Sequence, residues 1–303
     1  MTILRAFILL FIFELLPSTS LNLAPSSLLE TAIRSAHVAG NLMTSATASD
    51  KGVEVTKLNK KDLLTKIDPL CEEAIKKTIL ARFPDHLILG EESVEPGPSA
   101  SSMALSSFLE KSRATKKPLW IIDPIDGTTN FVHDLRYSAP SVACCVNGEV
   151  VVGCVFDPYA NETFWAVKNE GAFLNGERIS VKPEACLEDS VIAMGAPPGK
   201  LSASKSIKGF EGLLPKVRTI RMLGSAALML GWVACGRLNC YWEWDLSSWD
   251  VAAGGLIVEE AGGRMRGLEE DTLKFDVSER KIIADDGKCG NDVREVLKES
   301  GLF

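Results

Sequence analysis

The stretch from Trp120 to Phe131, WIIDPIDGTTNF, constrains this chain more than any other. An apolar, strand-like run ends in two aspartates, Asp123 and Asp126, three positions apart. A glycine, two threonines and an asparagine follow. Carboxylates are seldom crowded at the end of a buried strand, because burial penalises their charged form. Asp123 and Asp126 therefore have to hold something at the strand's tip.

Other acids stand at comparable places. Asp68 opens a helical stretch, Glu91 and Glu92 end a short strand, and Asp250 opens a further helix. Element ends are where sites are built. If these segments converge, several carboxylates share one cleft, repel one another and raise one another's pKa. A divalent cation removes that conflict. An all-oxygen set without cysteine or histidine favours a hard ion, magnesium over zinc. Gly127, Thr128, Thr129 and Asn130 can turn backbone N–H groups and a helix N-terminus toward an anion. Metal-binding acids beside an anion-binding turn describe a phosphate monoester site.

Some of these acids also have a plainer structural role to weigh. Asp68 fits a helix N-cap before Pro69, and Ser247 with Asp250 has capping-box spacing. Glu92 reads as a solvated neighbour of Glu91, Trp244 and Trp249 as packing, and His133 as a surface or turn residue. Asp123 with Asp126 in this context has no comparable structural reading.

Composition narrows the function classes. The chain has 303 residues, 46% of them hydrophobic, enough for a sizeable core. Its net charge of −7 makes nucleic acid an unsuitable general partner. Eight cysteines form no CxxC pair, and Cys144, Cys145 and Cys154 sit in apolar runs as small buried hydrophobes. The three histidines, His37, His86 and His133, are too scattered for a histidine metal site.

The first 20 residues, MTILRAFILLFIFELLPSTS, carry one arginine, a short apolar run and then small residues. The run is too short to span a bilayer and fits a cleavable leader within residues 1–24. An apolar segment packed on the body is the alternative. The leader suggests secretory or plastid targeting, and without it a cytoplasmic location.

Behind the leader, a helix is expected from Ser27, with Ser27 and Glu30 at capping-box spacing and Leu28, Ala32, Ala36 and Ala39 as its stripe. A second helix is expected from Asp68. Residues 94–117 read as a polar surface loop with one helical turn. Hairpins are expected at Asn147-Gly148 and Asn175-Gly176. From about Val191 strands and helices alternate. The expected class is α+β, with an N-terminal half at 25–185 carrying the acidic motifs and an α/β half at 186–303 completing the site.

GEES at 90–93, WIIDPIDGTTNFVH at 120–133 and WDVAAGGLIVEEAGG at 249–263 resemble the three signatures of the inositol monophosphatase family. KLNKKDLLTKID at 57–68 is similar to the segment that precedes them. The resemblance covers nearly all of the chain after the leader and implies a layered α-β-α-β-α sandwich. It implies that Glu91, Asp123 and the Ile125 carbonyl hold one magnesium ion, and that Asp123, Asp126 and Asp250 hold a second. Thr128, oriented by Asp68, would position the attacking water, with Glu91 contributing to catalysis. Gly127 and Thr128 would meet the phosphate; Glu243 and the Gly224-Ser225-Ala226 turn would meet the alcohol, alongside Asp126 and Asp250. Lys57 occupies a position close to the metal site.

The activity so implied is magnesium-dependent hydrolysis of inositol monophosphate by a metal-activated water, with lithium inhibition and a homodimer. Thr129 favours a polyol monoester over a nucleotide, since related nucleotidases more often carry lysine there. Histidinol phosphate or a sugar phosphate is the alternative substrate. A non-catalytic interaction protein of this fold would be expected to have lost a metal acid, and none is missing.

Overall fold

The computed structural model describes residues 25–56, 63–184, 186–196, 199–269 and 275–303. The leader and Lys57 lie outside them. Strands β1 (Val53–Thr56) and β2 (Leu63–Thr65) form a short antiparallel hairpin. A seven-stranded sheet follows in simple spatial order: β3 (Leu87–Gly90), β4 (Leu119–Asp126), β5 (Ala139–Val146), β6 (Glu149–Asp157), β7 (Glu162–Val167), β8 (Gly171–Leu174) and β9 (Glu177–Ile179). Only the β3–β4 pair is parallel. The two Asn-Gly turns close hairpins as expected, with positive φ at Asn147, Gly148, Asn175 and Gly176.

The second sheet has five strands: β10 (Val191–Met194), β11 (Thr219–Arg221), β12 (Cys240–Glu243), β13 (Arg264–Gly267) and β14 (Ile282–Asp285), ordered β11-β10-β12-β14-β13. Eight helices accompany the sheets among the described residues: α1 (Pro25–Ser45), α2 (Ile67–Arg82), α3 (Pro98–Thr115), α4 (Thr128–Val132), α5 (Lys200–Leu213), α6 (Ala226–Ala234), α7 (Ser248–Glu260) and α8 (Gly290–Glu299).

Three apolar clusters define five layers. Strand alternation sends Trp120 and Ile122 of β4 toward α1 and α2, where they meet Ala36, Ile75 and Ile79. Leu119 and Ile121 point the other way, into a cluster shared with α6, α7 and the inner face of the second sheet. The outer face of that sheet, with Met194, Trp242 and Ile283, packs on Val293 and Leu297 of α8. The order α-β-α-β-α agrees with the expected sandwich. Leu119, Ile121 and Ile122 are fully buried, and each such side chain contributes roughly 1.5–3 kcal/mol. Helix α7 is buried around most of its circumference because it lies between two sheets. All eight cysteines are free thiols, with Cys144, Cys145 and Cys154 buried.

The structure corrects three local expectations. Residues 98–115 form a helix, not a loop. Ser101, Leu105, Leu109 and Ser112 recur at helical spacing on its buried face, and the two serine hydroxyls donate to the Pro98 and Lys117 carbonyls. The serine-rich composition concealed an amphipathic stripe. Ser27 does not cap α1 but lies within it; Ser27 is buried, and its carbonyl accepts from the Thr31 hydroxyl. Asp68 lies inside the first turn of α2 and reaches back to Thr65, so the cap is the reverse of the one expected. Strands β1, β2 and β13, each of three or four residues, were not anticipated. No described helix is long and apolar enough to cross a membrane.

Candidate active site

On a regular strand, residues three apart face opposite sides of the sheet. Asp123 and Asp126 do not, because the β4–β5 register breaks between them, at Pro124 and Ile125. Proline is tolerated at such a bulge, which re-aims the side chains that follow. Oxygens of Asp123, Asp126 and Asp250 consequently lie within 4.8 Å of one another. Asp250 comes from the first turn of α7, where its Oδ2 also accepts the Ser247 N–H at 2.6 Å. The cap and the cluster are thus compatible roles for one side chain.

The electrostatics show strong mutual repulsion. Burial, then the charges of Glu91, Asp126 and Asp250, push Asp123 well above the usual carboxylate range. Asp250 is raised by burial and then by Asp126 and Glu91. Asp126 is raised to about 6 by burial, less than its neighbours because the Ser225 hydroxyl (2.5 Å) and the Ala227 N–H (2.7 Å) donate to it. Oxygen ligands alone, buried and mutually repelling, fit a hard divalent cation.

Asp123 Oδ1 accepts the Ile125 N–H at 2.9 Å, which fixes the bulge. The chain then turns at Gly127, whose φ of +91° suits glycine alone; a Cβ there would sit 2.9 Å from two carbonyl oxygens. Thr128 begins the short helix α4, and its Oγ1 lies 3.2 Å from Asp68 Oδ1 and 3.1 Å from the Ile125 carbonyl. Asp68 Oδ2 meanwhile accepts the Thr65 N–H at 2.9 Å. The sequence-derived pair Asp68 and Thr128 is therefore in contact.

A cavity of about 630 Å³ opens beside the cluster, bounded by Asp126, Asp250, Glu243, Gly224 and Ala226, with Thr129, Asn130 and His133 on one wall and Met194 and Met222 on another. His133 ends α4 and so is a turn residue, as expected, but it also reaches this wall. Ser225 stands apart from the wall: it is buried, caps α6 and gives its hydroxyl to Asp126. Burial raises Glu243 to about 7, and the Tyr241 hydroxyl donates to its carboxylate. Trp244 and Trp249 are packing residues, both buried in apolar clusters.

Three residues that shape the site, Tyr241, Gly195 and Glu72, escaped sequence reasoning, and Asn130, read there only as part of the anion-binding turn, has a side-chain role besides. Tyr241 shares a strand face with Glu243, two positions on, a signal that was present. Gly195 lies against Glu243 so closely that a Cβ would fall 1.8 Å from the carboxylate. Asn130 ties two loops together by donating to the carbonyls of Tyr137 (2.7 Å) and Leu223 (2.6 Å). Glu72, buried one turn after Asp68, accepts the Glu92 N–H at 2.8 Å.

Comparison with known proteins agrees with this architecture. Residues 24–300 match the description "Inositol monophosphatase family". An inositol monophosphatase of Dictyostelium discoideum is 36% identical over 78% of this chain and 83% of its own length. The Nus factor SuhB of Pseudomonas aeruginosa is 35% identical over 86% of this chain and 92% of its own. A solved Thermotoga maritima IMPase superposes with a TM-score of 0.75 at 34% identity, covering 90% of this chain and 97% of that one. The chain belongs to the inositol monophosphatase family.

Proposed function

We propose that this protein is a magnesium-dependent phosphomonoesterase that hydrolyses inositol monophosphate to inositol and phosphate. The observation that carries the proposal is the convergence of Asp123, Asp126 and Asp250 beside a cavity that also holds Glu243. Relatives named inositol monophosphatase at about one-third identity support it. Two ions would be held by Glu91, Asp123 and the Ile125 carbonyl, and by Asp123, Asp126 and Asp250. Bound there, they would lower the pKa of a water and offset charge on the departing oxygen.

The chain's own groups divide the remaining work. The Thr128 hydroxyl has one proton to give. Donated to Asp68, it leaves the Thr128 lone pairs free to accept from a water and so to aim it. The backbone N–H groups of Gly127 and Thr128 stand where α4 begins, and the first N–H groups of a helix have no intrahelical acceptor. They suit phosphate oxygens. Glu243, fixed by Tyr241, meets hydroxyls of the alcohol, with Gly224 and Ala226 shaping the wall beside it. Ser225 acts through Asp126. No protein nucleophile is required, since carboxylates committed to cations do not attack phosphorus.

The same proposal includes lithium inhibition, a homodimer and removal of residues 1 to about 20 from the mature protein. N-terminal sequencing and light scattering test the last two. The substrate is tested by measuring phosphate release from inositol 1-phosphate, histidinol phosphate and sugar phosphates with magnesium. The highest kcat/KM should fall to inositol 1-phosphate; a clear preference for another of these would transfer the assignment to it.

A further inference from the structure

Helix α2 presents two buried carboxylates one turn apart, Asp68 and Glu72. Residues four apart on a helix share a face. Asp68 holds Thr128. Glu72 faces the turn that carries Glu91, which follows β3 directly. Glu72 Oε2 accepts the Glu92 N–H at 2.8 Å, and Oε1 accepts the Ser93 hydroxyl at 2.5 Å and the Lys76 ammonium at 2.7 Å. Lys76 also donates to Ser93 Oγ at 2.5 Å, closing the ring. Gly90 makes the approach possible: a Cβ at that position would lie 2.4 Å from Glu72 Oε2.

These contacts surround Glu91 without using its carboxylate. They fix the residues on either side of it, Gly90 by close packing and Glu92 and Ser93 by hydrogen bonds to a charged acceptor, the strong kind. We infer that Glu72 is a positioning residue that sets Glu91 against Asp123, so that one rigid helix fixes both the Thr128 hydroxyl and the Glu91 ligand of the proposed metal site. The inference rests on the metal-dependent function proposed above. Groups that orient metal ligands typically change metal affinity about 10–100-fold when removed.

The test is calorimetric titration of magnesium into the metal-free full-length protein, wild type beside Glu72→Gln, Ser93→Ala and Lys76→Met, with melting temperatures of the metal-free forms. Glu72→Gln keeps one acceptor oxygen but turns an amide against a donor. Its magnesium affinity should fall by about tenfold or more. At saturating magnesium its kcat should return close to the wild-type value, because Glu91 itself is intact. Ser93→Ala and Lys76→Met, which each remove one donor to Glu72, should each weaken affinity by less than the roughly tenfold loss expected of Glu72→Gln. If Glu72→Gln does not fold, these two decide the question. A role confined to folding would lower the melting temperature and leave magnesium affinity of the folded protein at the wild-type value in every folded variant; that result overturns the inference. Failure of the wild-type protein itself to bind magnesium would instead remove the metal-dependent function on which the inference rests.

Discussion

Thr128 Oγ1 lies 3.2 Å from Asp68 Oδ1, joining the turn after β4 to the first turn of α2 across sixty positions of sequence. The contact is directional. Asp68 is buried and, ionised, can only accept, as can the Ile125 carbonyl at 3.1 Å, so the one threonine proton points toward this pair of acceptors and the hydroxyl lone pairs point away from them.

Asp68→Asn therefore reverses the polarity of this pair while leaving its shape. An amide oxygen still accepts the Thr65 N–H, but the NH2 group now donates into Thr128 and occupies the lone pairs proposed to aim water. Turnover should fall by about a hundredfold or more, in the range of lost acid–base and orienting groups. Stability should change by no more than about 1 kcal/mol, because the reach back to Thr65 survives. Steady-state kinetics beside thermal melting checks both halves, and unchanged turnover would leave Asp68 a cap alone.

Asp250→Asn separates two roles in another element. Asparagine can still accept the Ser247 N–H, so α7 keeps its cap. One negative charge leaves the cluster. Turnover at saturating magnesium should drop at least about a hundredfold, equivalent to about 2.7 kcal/mol. The metal-free protein should melt at the same temperature or higher, since a repelling charge is gone.

Gly195→Ala tests the alcohol side. The new methyl would fall 1.8 Å from the Glu243 carboxylate, so Glu243 must move off its hydrogen bond with Tyr241. Overpacking costs about 1–3 kcal/mol. KM for inositol 1-phosphate should rise by about tenfold, with a smaller change in kcat at saturation, because the proposed contact of Glu243 with the alcohol hydroxyls is one made already in the bound ground state. An unchanged KM would take Glu243 out of substrate recognition.

The cluster also sets a pH dependence. Asp126 has a folded value of about 6 against an ordinary 3.8, and Glu243 about 7 against 4.5. Asp123 and Asp250 are raised as well. For an acid raised on folding, the folded state holds its proton longer than the unfolded one, so stability falls as pH rises. The metal-free protein should lose melting temperature as pH climbs from about 4 to about 7, where these groups ionise in the folded state. Magnesium should flatten that slope by neutralising the carboxylates. A metal-free melting temperature that rises through this window would contradict the arrangement of buried charges.

Much of this site was legible because its acids sit in contiguous signatures at element ends. Asp123 and Asp126 are visible in sequence as carboxylates where a strand would not ordinarily bury them, whereas Asp250, at a helix start with capping-box spacing to Ser247, stands out only through the signature around it. The bulge that brings the first two to one side was not legible, since it depends on the register against β5. Gly195 and Glu72 were hidden for a similar reason: each matters through what approaches it from a distant segment, Glu243 in one case and the Glu91 turn in the other. In the fold, β4 and the two Asn-Gly hairpins follow from local pattern and turn chemistry. Helix α3 was missed because serines flank the two leucines of its stripe, and the burial of Ser101 and Ser112 depends on carbonyl partners that only the folded helix supplies. The cap on α2 was misassigned because Asp68 beside Pro69 imitates an N-cap, whereas its carboxylate reaches back toward Thr65 and across to Thr128.

Phosphate release from inositol 1-phosphate by the full-length protein, measured first in EDTA and then after magnesium is restored in excess, tests the central claim most directly. The arrangement of Asp123, Asp126, Asp250 and Glu91 predicts no release above background in EDTA and recovery with magnesium, and the family resemblance adds suppression of the recovered activity by lithium. Full activity in EDTA would contradict it.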